Sequence, residues 1–226
     1  MKKLDHQIGE FGFFQDSPKS ILSNGDFFFF DLGENPYLFL IDGSLSPTSS
    51  IKGHFREVFF ELLSECDNFL TLNNSPLNVL NELHNILLEN NQVNPRQKIW
   101  ASAVLCKISK SSAKILEIAE TGDTKVFVFR SSKMFPVFDQ NLPNPSNKLS
   151  GAMGMHNPKI QTTKLTLNDD EEILLMTDGA YHYLEKYEKI KVSQNGMFLN
   201  ETLNQFDGFV RFSDDDASLV SFKPKL

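Results

Sequence analysis

A short apolar run that ends in Asp-Gly is the feature of this sequence that most constrains its fold. The stretch from Glu171 to Tyr183 reads EEILLMTDGAYHY, and its run from Ile173 to Met176 is typical of a buried strand. The strand stops just before Asp178, so a rigid element carries a carboxylate at its tip. An acid in that position rarely serves packing, because a buried charge is costly unless it is paired or binds a metal.

Acidic residues adjoin predicted strands at two other places. YLFLIDGS ends a strand on Asp42 and Gly43, and RFSDDDASLVSF sets three carboxylates before a short apolar strand. Carboxylates from separate strands suit Mg²⁺ or Mn²⁺, because these cations prefer oxygen ligands and need several of them. Asp-Gly also marks turns, and a turn is the better interpretation of any single pair. The set as a whole favours a metal site.

Size and composition predict one domain over residues 1–226. The chain has 226 residues with no Pro, Gly or Ser tract to divide it, and its 40% hydrophobic content with 21 Phe can fill a sizeable core. The formal charge of -7, without a basic stripe, argues against a nucleic-acid surface.

The cysteines and the N-terminus indicate the compartment. Cys66 and Cys106 show no metal-ligand spacing, so buried reduced thiols are expected, as in a cytoplasmic protein. The start, MKKLDHQIGEFGFF, lacks the uninterrupted apolar segment of a signal peptide. No apolar run approaches the roughly 20 residues that span a bilayer, so we expect no membrane insertion.

A predicted hairpin near the N-terminus brings two acids together. Residues 27–32 and 37–41 both read as strands, and the residues between them include Gly33 and form a plausible turn. Antiparallel pairing would place Asp26 beside Asp42. Four adjacent Phe residues leave this first strand no polar face, so it should be covered on both sides.

Two helices are predicted to follow the hairpin. Residues 51–70 carry apolar residues at helical spacing and should cover a sheet. A second helix begins where Ser75 can cap and Pro76 takes the first helical position. Its predicted apolar side is formed by Leu77, Leu80, Leu83 and Leu87. His84 lies beside that stripe, where a packed or surface histidine is more common than a ligand.

The second half of the chain has the period of two expected of strands. Residues 99–108, 114–120 and 125–130 are predicted to form an antiparallel meander with short turns. Residues 139–158 are rich in Pro, Asn and Gly and are predicted to form a surface loop or flap.

The motifs in this order resemble those of the metal-dependent PPM or PP2C-type protein serine/threonine phosphatases. GD, IDGS, ETGDTKVFVFR, LLMTDGA and DDDASLVSF follow one another over nearly the whole chain, with two long helices after the first hairpin. The shorter bacterial branch, similar to SpoIIE and RsbX, is closest in length. The resemblance implies an α+β fold, a four-layer αββα sandwich of two antiparallel sheets flanked by helices, with metals in a cleft at one sheet edge.

The resemblance also implies a site. Asp42 would bridge two Mn²⁺ or Mg²⁺ ions, and the backbone carbonyl of Gly43 would help to hold one of them. Asp26 matches the aspartate of the first motif, Asp178 that of the late DG motif, and Asp215 the acid of the terminal motif. Asp42 and Asp178 are therefore the predicted catalytic residues.

Further positions are implied with alternatives. Asp214 is an alternative to the terminal acid, one residue earlier. Asp123 would help Asp178 to bind a third, looser ion, and a turn aspartate is almost as good an interpretation of it. The usual phosphate-binding Arg is here Ile21, and Lys19 is the candidate substitute, although an ammonium lacks the bidentate fork of a guanidinium.

The function implied is hydrolysis of phosphoserine or phosphothreonine in a partner protein by a metal-activated water, in bacterial signalling. The Gly-Gly-His stretch of the larger enzymes is replaced by residues 44–47, Ser-Leu-Ser-Pro, and the acid before Asp26 is Gly25. These departures support an alternative, a catalytically weak or inactive regulatory module that binds phosphoproteins. A third hypothesis is a metal-free acidic interaction domain in which the Asp-Gly pairs only turn the chain.

Overall fold

Two antiparallel sheets face each other, and helices lie on their outer faces. The computed structural model describes residues 2–16, 25–45, 59–61, 74–96, 98–109, 111–131, 133–138, 151–186, 190–193, 196–199 and 216–225. Residues 59–61 are helical and fall within the first predicted helix, whose other residues lie outside the described ranges.

Most of the described elements are strands. The helices are α1 (Pro76–Val93) and α2 (Asp178–Lys186). The strands are β1 (Lys2–His6), β2 (Gly9–Asp16), β3 (Phe27–Asp31), β4 (Tyr37–Leu45), β5 (Ile99–Ile108), β6 (Ile115–Thr121), β7 (Lys125–Arg130), β8 (Lys133–Pro136), β9 (Ile160–Thr166), β10 (Glu172–Met176), β11 (Ile190–Ser193), β12 (Gly196–Leu199) and β13 (Ala217–Pro224). Strands β1, β11 and β12 were not anticipated from the sequence.

In the described part of the chain these strands form two sheets. The larger has the order β1-β2-β13-β10-β7-β8-β12-β11, and the smaller has the order β3-β4-β5-β6-β9. All pairs of neighbours are antiparallel. The predicted hairpin is confirmed, with Phe27 opposite Ile41.

The core is divided into three apolar layers by the two sheets. The central layer holds Leu40, Val104 and Ile118 of the smaller sheet and Val126, Ile173 and Val220 of the larger one. Helix α1 packs Leu80, Leu83 and Leu87 on the outer face of the smaller sheet, and α2 packs Tyr181 and Leu184 on that of the larger. This arrangement confirms the predicted α+β sandwich of two antiparallel sheets.

The four Phe residues of β3 divide between two of these layers. Phe27 and Phe29 pack with α1, whereas Phe28 and Phe30 pack between the sheets. Side chains alternate across a strand, so the continuous aromatic run is covered on both faces, as predicted.

Helix α1 begins as the sequence predicted. The Ser75 hydroxyl accepts a hydrogen bond from the Asn78 amide at 3.3 Å, and Pro76 is the first helical residue. The predicted place of Leu77 in the apolar stripe is wrong, since that side chain is 37% exposed. Val79 is buried instead, because it lies one turn before Leu83 on the face that meets the sheet.

The predicted meander is wrong at one junction. Strands β5 and β6 pair, but β6 then pairs with β9, whereas β7 belongs to the other sheet and pairs with β10 and β8. The turn at residues 121–124 therefore crosses between the sheets. Gly122 makes this crossing possible, because its φ is +81° and a Cβ there would lie 2.1 Å from the Ser102 hydroxyl oxygen.

The predicted flap is fixed over its second part. Residues 139–150 lie outside the described ranges, but residues 151–158 include Ala152 and Met153, which are fully buried. Met153 exchanges backbone hydrogen bonds with Ala101 at 2.9 and 3.2 Å. Since β6 ends at Thr121, opposite Ala103, the edge of β5 beyond that point is open for this segment to pair.

Strand β4 is longer than predicted. It continues through Asp42 and Gly43 to Leu45, because β5 pairs with it along its whole length. Asp42 therefore lies inside a strand, opposite Ser102, and not at a strand tip. In the described residues, no helix is long and apolar enough to cross a membrane.

Candidate metal centre

Asp26 and Asp42 are brought together by the hairpin of β3 and β4. Phe27 pairs with Ile41, so Asp26, just before β3, and Asp42, just after Ile41, continue the same register. Asp26 is only 2% exposed, and Asp42 is partly exposed as a whole residue although its carboxyl group is buried. The predicted pairing of these two acids is therefore what the structure shows.

Asp178 reaches the same place from the other sheet. It is the first residue of α2, two residues after the end of β10. Thr177 fixes this junction, since its hydroxyl accepts the Ser218 amide at 2.9 Å and its carbonyl accepts the Tyr181 amide at 3.1 Å. A side-chain hydrogen bond joins Asp178 to Asp42, so the two sheets meet at these carboxyl groups.

Asp123 lies in the turn that crosses between the sheets. Ser102 donates a hydrogen bond from its hydroxyl to the Asp123 carboxylate and accepts one from the Asp123 amide at 3.2 Å. Since Ser102 is the residue opposite Asp42 on β5, this contact ties the turn to the hairpin. Burial and the charge of Asp178 raise the pKa of Asp123, and the Ser102 hydrogen bond partly offsets that rise.

We call Asp26, Asp42, Asp123 and Asp178 the acidic cluster. Burial raises the pKa of Asp42 well above its ordinary value. The charges of Asp26, Asp178 and Asp123 raise the pKa of the Asp42 carboxyl further, in that order. The cause of this further rise in the Asp42 pKa is the crowding of like charges, which a bound cation would relieve. Hard carboxylate oxygens are the donors that Mg²⁺ and Mn²⁺ take, so the chemistry of this cluster fits those ions.

The terminal acidic run contributes a residue that sequence reasoning did not select. Asp214 and Asp215, the predicted alternatives, lie outside the described residues, so their roles stay predictions. Asp216 is 8% exposed, and its carboxylate accepts a hydrogen bond from the Gly25 amide at 2.7 Å. The triple-Asp run was the available signal, but only the position of β13 could show which acid approaches the first motif.

Gly43 and Gly25 approach each other closely next to this contact. A Cβ built on Gly25 would lie 2.4 Å from the Gly43 carbonyl oxygen, so a side chain at position 25 would displace that backbone. Gly43 itself pairs with Ala101 in β5. The same Cβ would lie 3.7 Å from an Asp216 carboxylate oxygen, so the Gly43 carbonyl, a predicted metal ligand, lies near Asp216.

Lys125 is a buried cation beside the cluster that sequence reasoning missed. It is the first residue of β7 and is 8% exposed. Burial lowers the pKa of Lys125, while the charges of Glu120, Asp123 and Asp178 oppose that shift. The available signal was its position two residues after Asp123.

The remaining predicted residues are not placed. Lys19, Ile21 and Asp215 all lie outside the described ranges. Within those ranges, no group of three or more His, Cys, Asp or Glu side chains is placed so that it could hold a metal ion without other ligands. Further ligands would therefore have to come from backbone oxygens such as that of Gly43, from water, or from the terminal acids.

The sequence model of the family described as Stage II sporulation protein E (SpoIIE) matches residues 57–208, more than half of the chain. The chain belongs to the SpoIIE family. This confirms the resemblance to the short bacterial branch of the PPM or PP2C type, and by family the chain is a PPM-type protein phosphatase. No curated protein sequence matched this SpoIIE-family chain.

Solved structures of bacterial phosphatases share the fold. Serine/threonine phosphatase Stp1 from Staphylococcus aureus superimposes with a TM-score of 0.69 at 16% identity, covering 100% of both chains. A serine/threonine phosphatase of S. agalactiae gives 0.67 at 12% identity, covering 95% of this chain and 99% of that one. RsbX in complex with magnesium gives 0.62 at 16% identity, covering 99% of each chain. At these identities the likeness establishes the fold alone.

Proposed function

We propose that this SpoIIE-family chain is a metal-dependent phosphatase of phosphoserine or phosphothreonine in a partner protein. The observation that carries the proposal is the contact between Asp42 of one sheet and Asp178 of the other, with Asp26 and Asp123 alongside. Acids that crowd in this way destabilise the fold unless a cation or a proton is held between them.

The residues that would hold the cations are those of the acidic cluster. Asp42 and Asp178 are the central ligands, with Asp26, the Gly43 carbonyl and Asp215 completing the set. Mn²⁺ or Mg²⁺ bound there would supply a water of lowered pKa for in-line attack on the phosphorus of a phosphomonoester. Support for such ions comes from the donor set and from RsbX, whose crystal structure contains magnesium.

The chain's own residues position these groups and do not attack the substrate. Thr177 and Ser218 fix the start of α2, and Ser102 fixes the Asp123 turn, so the carboxylates are preorganised before substrate arrives. Cys106 is excluded as a nucleophile, because it is fully buried and burial raises the pKa of its thiol to about 12.

The substrate is proposed from the family and the fold. Stp1 and the S. agalactiae protein are named as serine/threonine phosphatases. Another protein with a similar fold is described with the bacterial stressosome, a modular system adapted to control secondary messenger signalling. A phosphorylated protein of a bacterial signalling circuit, in the cytoplasm, is the corresponding substrate. The acidic cluster carries negative charge, so a phosphoester would approach with its charge offset by the bound cations.

A regulatory module without strong catalysis is the second candidate. It is favoured by Ile21 at the usual position of the phosphate-binding Arg and by Ser-Leu-Ser-Pro at residues 44–47. In that case the cations would remain bound while phosphoester turnover stayed low.

Hydrolysis of p-nitrophenyl phosphate and of a phosphoserine peptide with Mn²⁺ tests the proposal. We expect Asp178→Asn to lower the rate by at least about 100-fold, because one central ligand and its charge are lost. Asp170→Asn is the matched control, since Asp170 is exposed in the turn before β10 and should leave the rate unchanged.

Each result of this comparison has a defined meaning. Turnover that requires Mn²⁺ and depends on Asp178 supports the phosphatase. A native chain that binds Mn²⁺ but hydrolyses neither compound supports the regulatory module. Equal turnover by the native chain and by Asp178→Asn contradicts the proposed site.

A further inference from the structure

Ser218 carries a hydroxyl that is buried without a hydrogen-bond partner. The residue is fully buried, and its Oγ has no partner among the described residues. Both backbone groups of Ser218 are bonded, since its amide donates to the Thr177 hydroxyl at 2.9 Å and its carbonyl accepts the Thr177 amide at 3.0 Å. Most buried polar groups in folded proteins are paired, and an unpaired one costs stability. The Ser218 hydroxyl therefore calls for a role outside the fold itself.

The Ser218 side chain points between the two sheets. Leu219 packs under α2, whereas Val220, which shares the face of Ser218, belongs to the central layer. Across that layer, β13 faces β3 and β4, the strands of the hairpin that brings Asp26 and Asp42 together.

The neighbouring strands place Ser218 at the end of the central layer where the acidic cluster lies. On one side it pairs with Gln15 of β2, whose side-chain amide donates to the Asp26 carbonyl. On the other side it is bonded to Thr177, which directly precedes Asp178. Ser218 therefore lies between a residue that contacts the Asp26 backbone and the residue before Asp178.

Asp26 and Asp42 face the same space from the smaller sheet. Phe28 and Leu40, each two residues away from one of these acids, lie in the central layer, and residues two apart share a face of a strand. The Ser218 hydroxyl and these two carboxylates thus close one end of the central layer from opposite sheets.

We propose that Ser218 is a positioning residue, whose hydroxyl donates a hydrogen bond to an oxygen ligand of the cations bound by the acidic cluster. The inference rests on the proposed function and adds to it a residue outside the ligand set. Groups that orient metal ligands from outside the coordination sphere typically raise metal affinity roughly 10- to 100-fold. The fold does not need a hydroxyl reserved for such a ligand, so the metal-free protein carries the cost of burying it.

Two measurements on Ser218→Ala test this inference, and neither depends on turnover. In chelator, we expect its thermal unfolding midpoint to lie roughly 2–4 °C above that of the native chain, because a buried hydroxyl without a partner is removed. In calorimetric titration with Mn²⁺, we expect its affinity to be lower by at least about tenfold. Ser218→Thr keeps the hydroxyl and should bind Mn²⁺ like the native chain.

Ser221→Ala is the matched control on the same strand. Ser221 is 1% exposed, but it shares the face of Leu219, and its side chain hydrogen-bonds Glu172. Removal of that hydroxyl takes a bond from the Glu172 carboxyl, so we expect a lower unfolding midpoint and an unchanged Mn²⁺ affinity. The opposite effects of the two substitutions separate a group directed at the cations from one that serves the fold.

Each outcome supports or overturns the inference. A Ser218→Ala midpoint below that of the native chain would mean that the hydroxyl already serves the fold, and it overturns the inference. Equal Mn²⁺ affinities of the native chain and Ser218→Ala overturn it as well. In either case the phosphatase proposal stands. A native chain that binds no Mn²⁺ overturns the phosphatase proposal and, with it, this inference.

Discussion

Asp42 carries the largest electrostatic strain in the described part of the site. Its carboxyl is buried beside three other aspartates, and burial is the first cause of its raised pKa. A folded-state pKa above the unfolded value means that the folded protein binds this proton more tightly. The corresponding stability is present at low pH and is lost as the pH rises through the folded pKa.

Asp42→Asn should therefore stabilise the protein in the absence of metal. At pH 7.5 with a chelator, we expect a gain on the order of 1 kcal/mol in the free energy of unfolding, because one of the crowded charges is removed. The gain should shrink as the pH falls through the folded pKa of Asp42. Urea unfolding of both proteins across this pH range measures the difference.

The same substitution should have the opposite effect with metal. In saturating Mn²⁺ the native chain gains binding energy that Asp42→Asn lacks, so the native chain becomes the more stable of the two. An Asp42→Asn protein that is less stable than the native chain in chelator would show that this carboxyl serves packing and not cation binding.

The acidic site residues next to predicted strands could be identified from the sequence. The residues that contact them in the folded protein could not. Asp26 and Asp42 were paired by hairpin register, and Asp178 by its position after an apolar run. Ser102 and Asp216 approach the cluster only through pairing between distant strands. A single sequence carries no local signal for such pairing, because period and turn residues specify elements and not their partners.

At the scale of elements, the crossing turn and the segment after residue 150 hold the site together. Met153 pairs with Ala101, and Ala101 pairs with Gly43 on its other side. Helix α1 holds the next residue of this segment from outside the sheet. The His84 ring nitrogen Nδ1 accepts the Gly154 amide at 3.2 Å, and Asn91 donates to the Gly154 carbonyl at 3.0 Å.

Asn91→Ala should destabilise the fold by about 2–3 kcal/mol. The Asn91 amide also donates to the Ile99 carbonyl and accepts the Ile99 amide, both at 2.7 Å, so the substitution leaves buried backbone groups unsatisfied. Asn81→Ala on the exposed side of α1 is the matched control. The urea midpoint measures both, and equal midpoints would mean that α1 does not anchor the segment.

Element boundaries were predicted well where the pattern was local. The cap at Ser75 and strands β5 and β7 appear at the predicted residues. The errors have one cause, which is tertiary pairing. Strand β4 lengthens because β5 supplies partners as far as Leu45, and residues 151–158 are fixed because β6 ends early and leaves an edge to pair.

At the scale of the whole molecule, the sandwich explains how separate motifs form one site. Asp42 comes from β4 of the smaller sheet and Asp178 from the start of α2, just after β10 of the larger one, and their contact requires the end of β10 to face Asp42. The four-layer architecture could be predicted from the resemblance and the element pattern. The order of strands in the larger sheet could not, since β13 inserts between β2 and β10 from the far end of the chain.

The central claim is that carboxylates of both sheets hold divalent cations together. An anomalous difference map from a crystal soaked in Mn²⁺ tests it most directly, because manganese is located without reference to turnover. The account predicts two strong peaks within coordination distance of the oxygens of Asp42 and Asp178. A map at saturating Mn²⁺ with no peak inside the acidic cluster would contradict it.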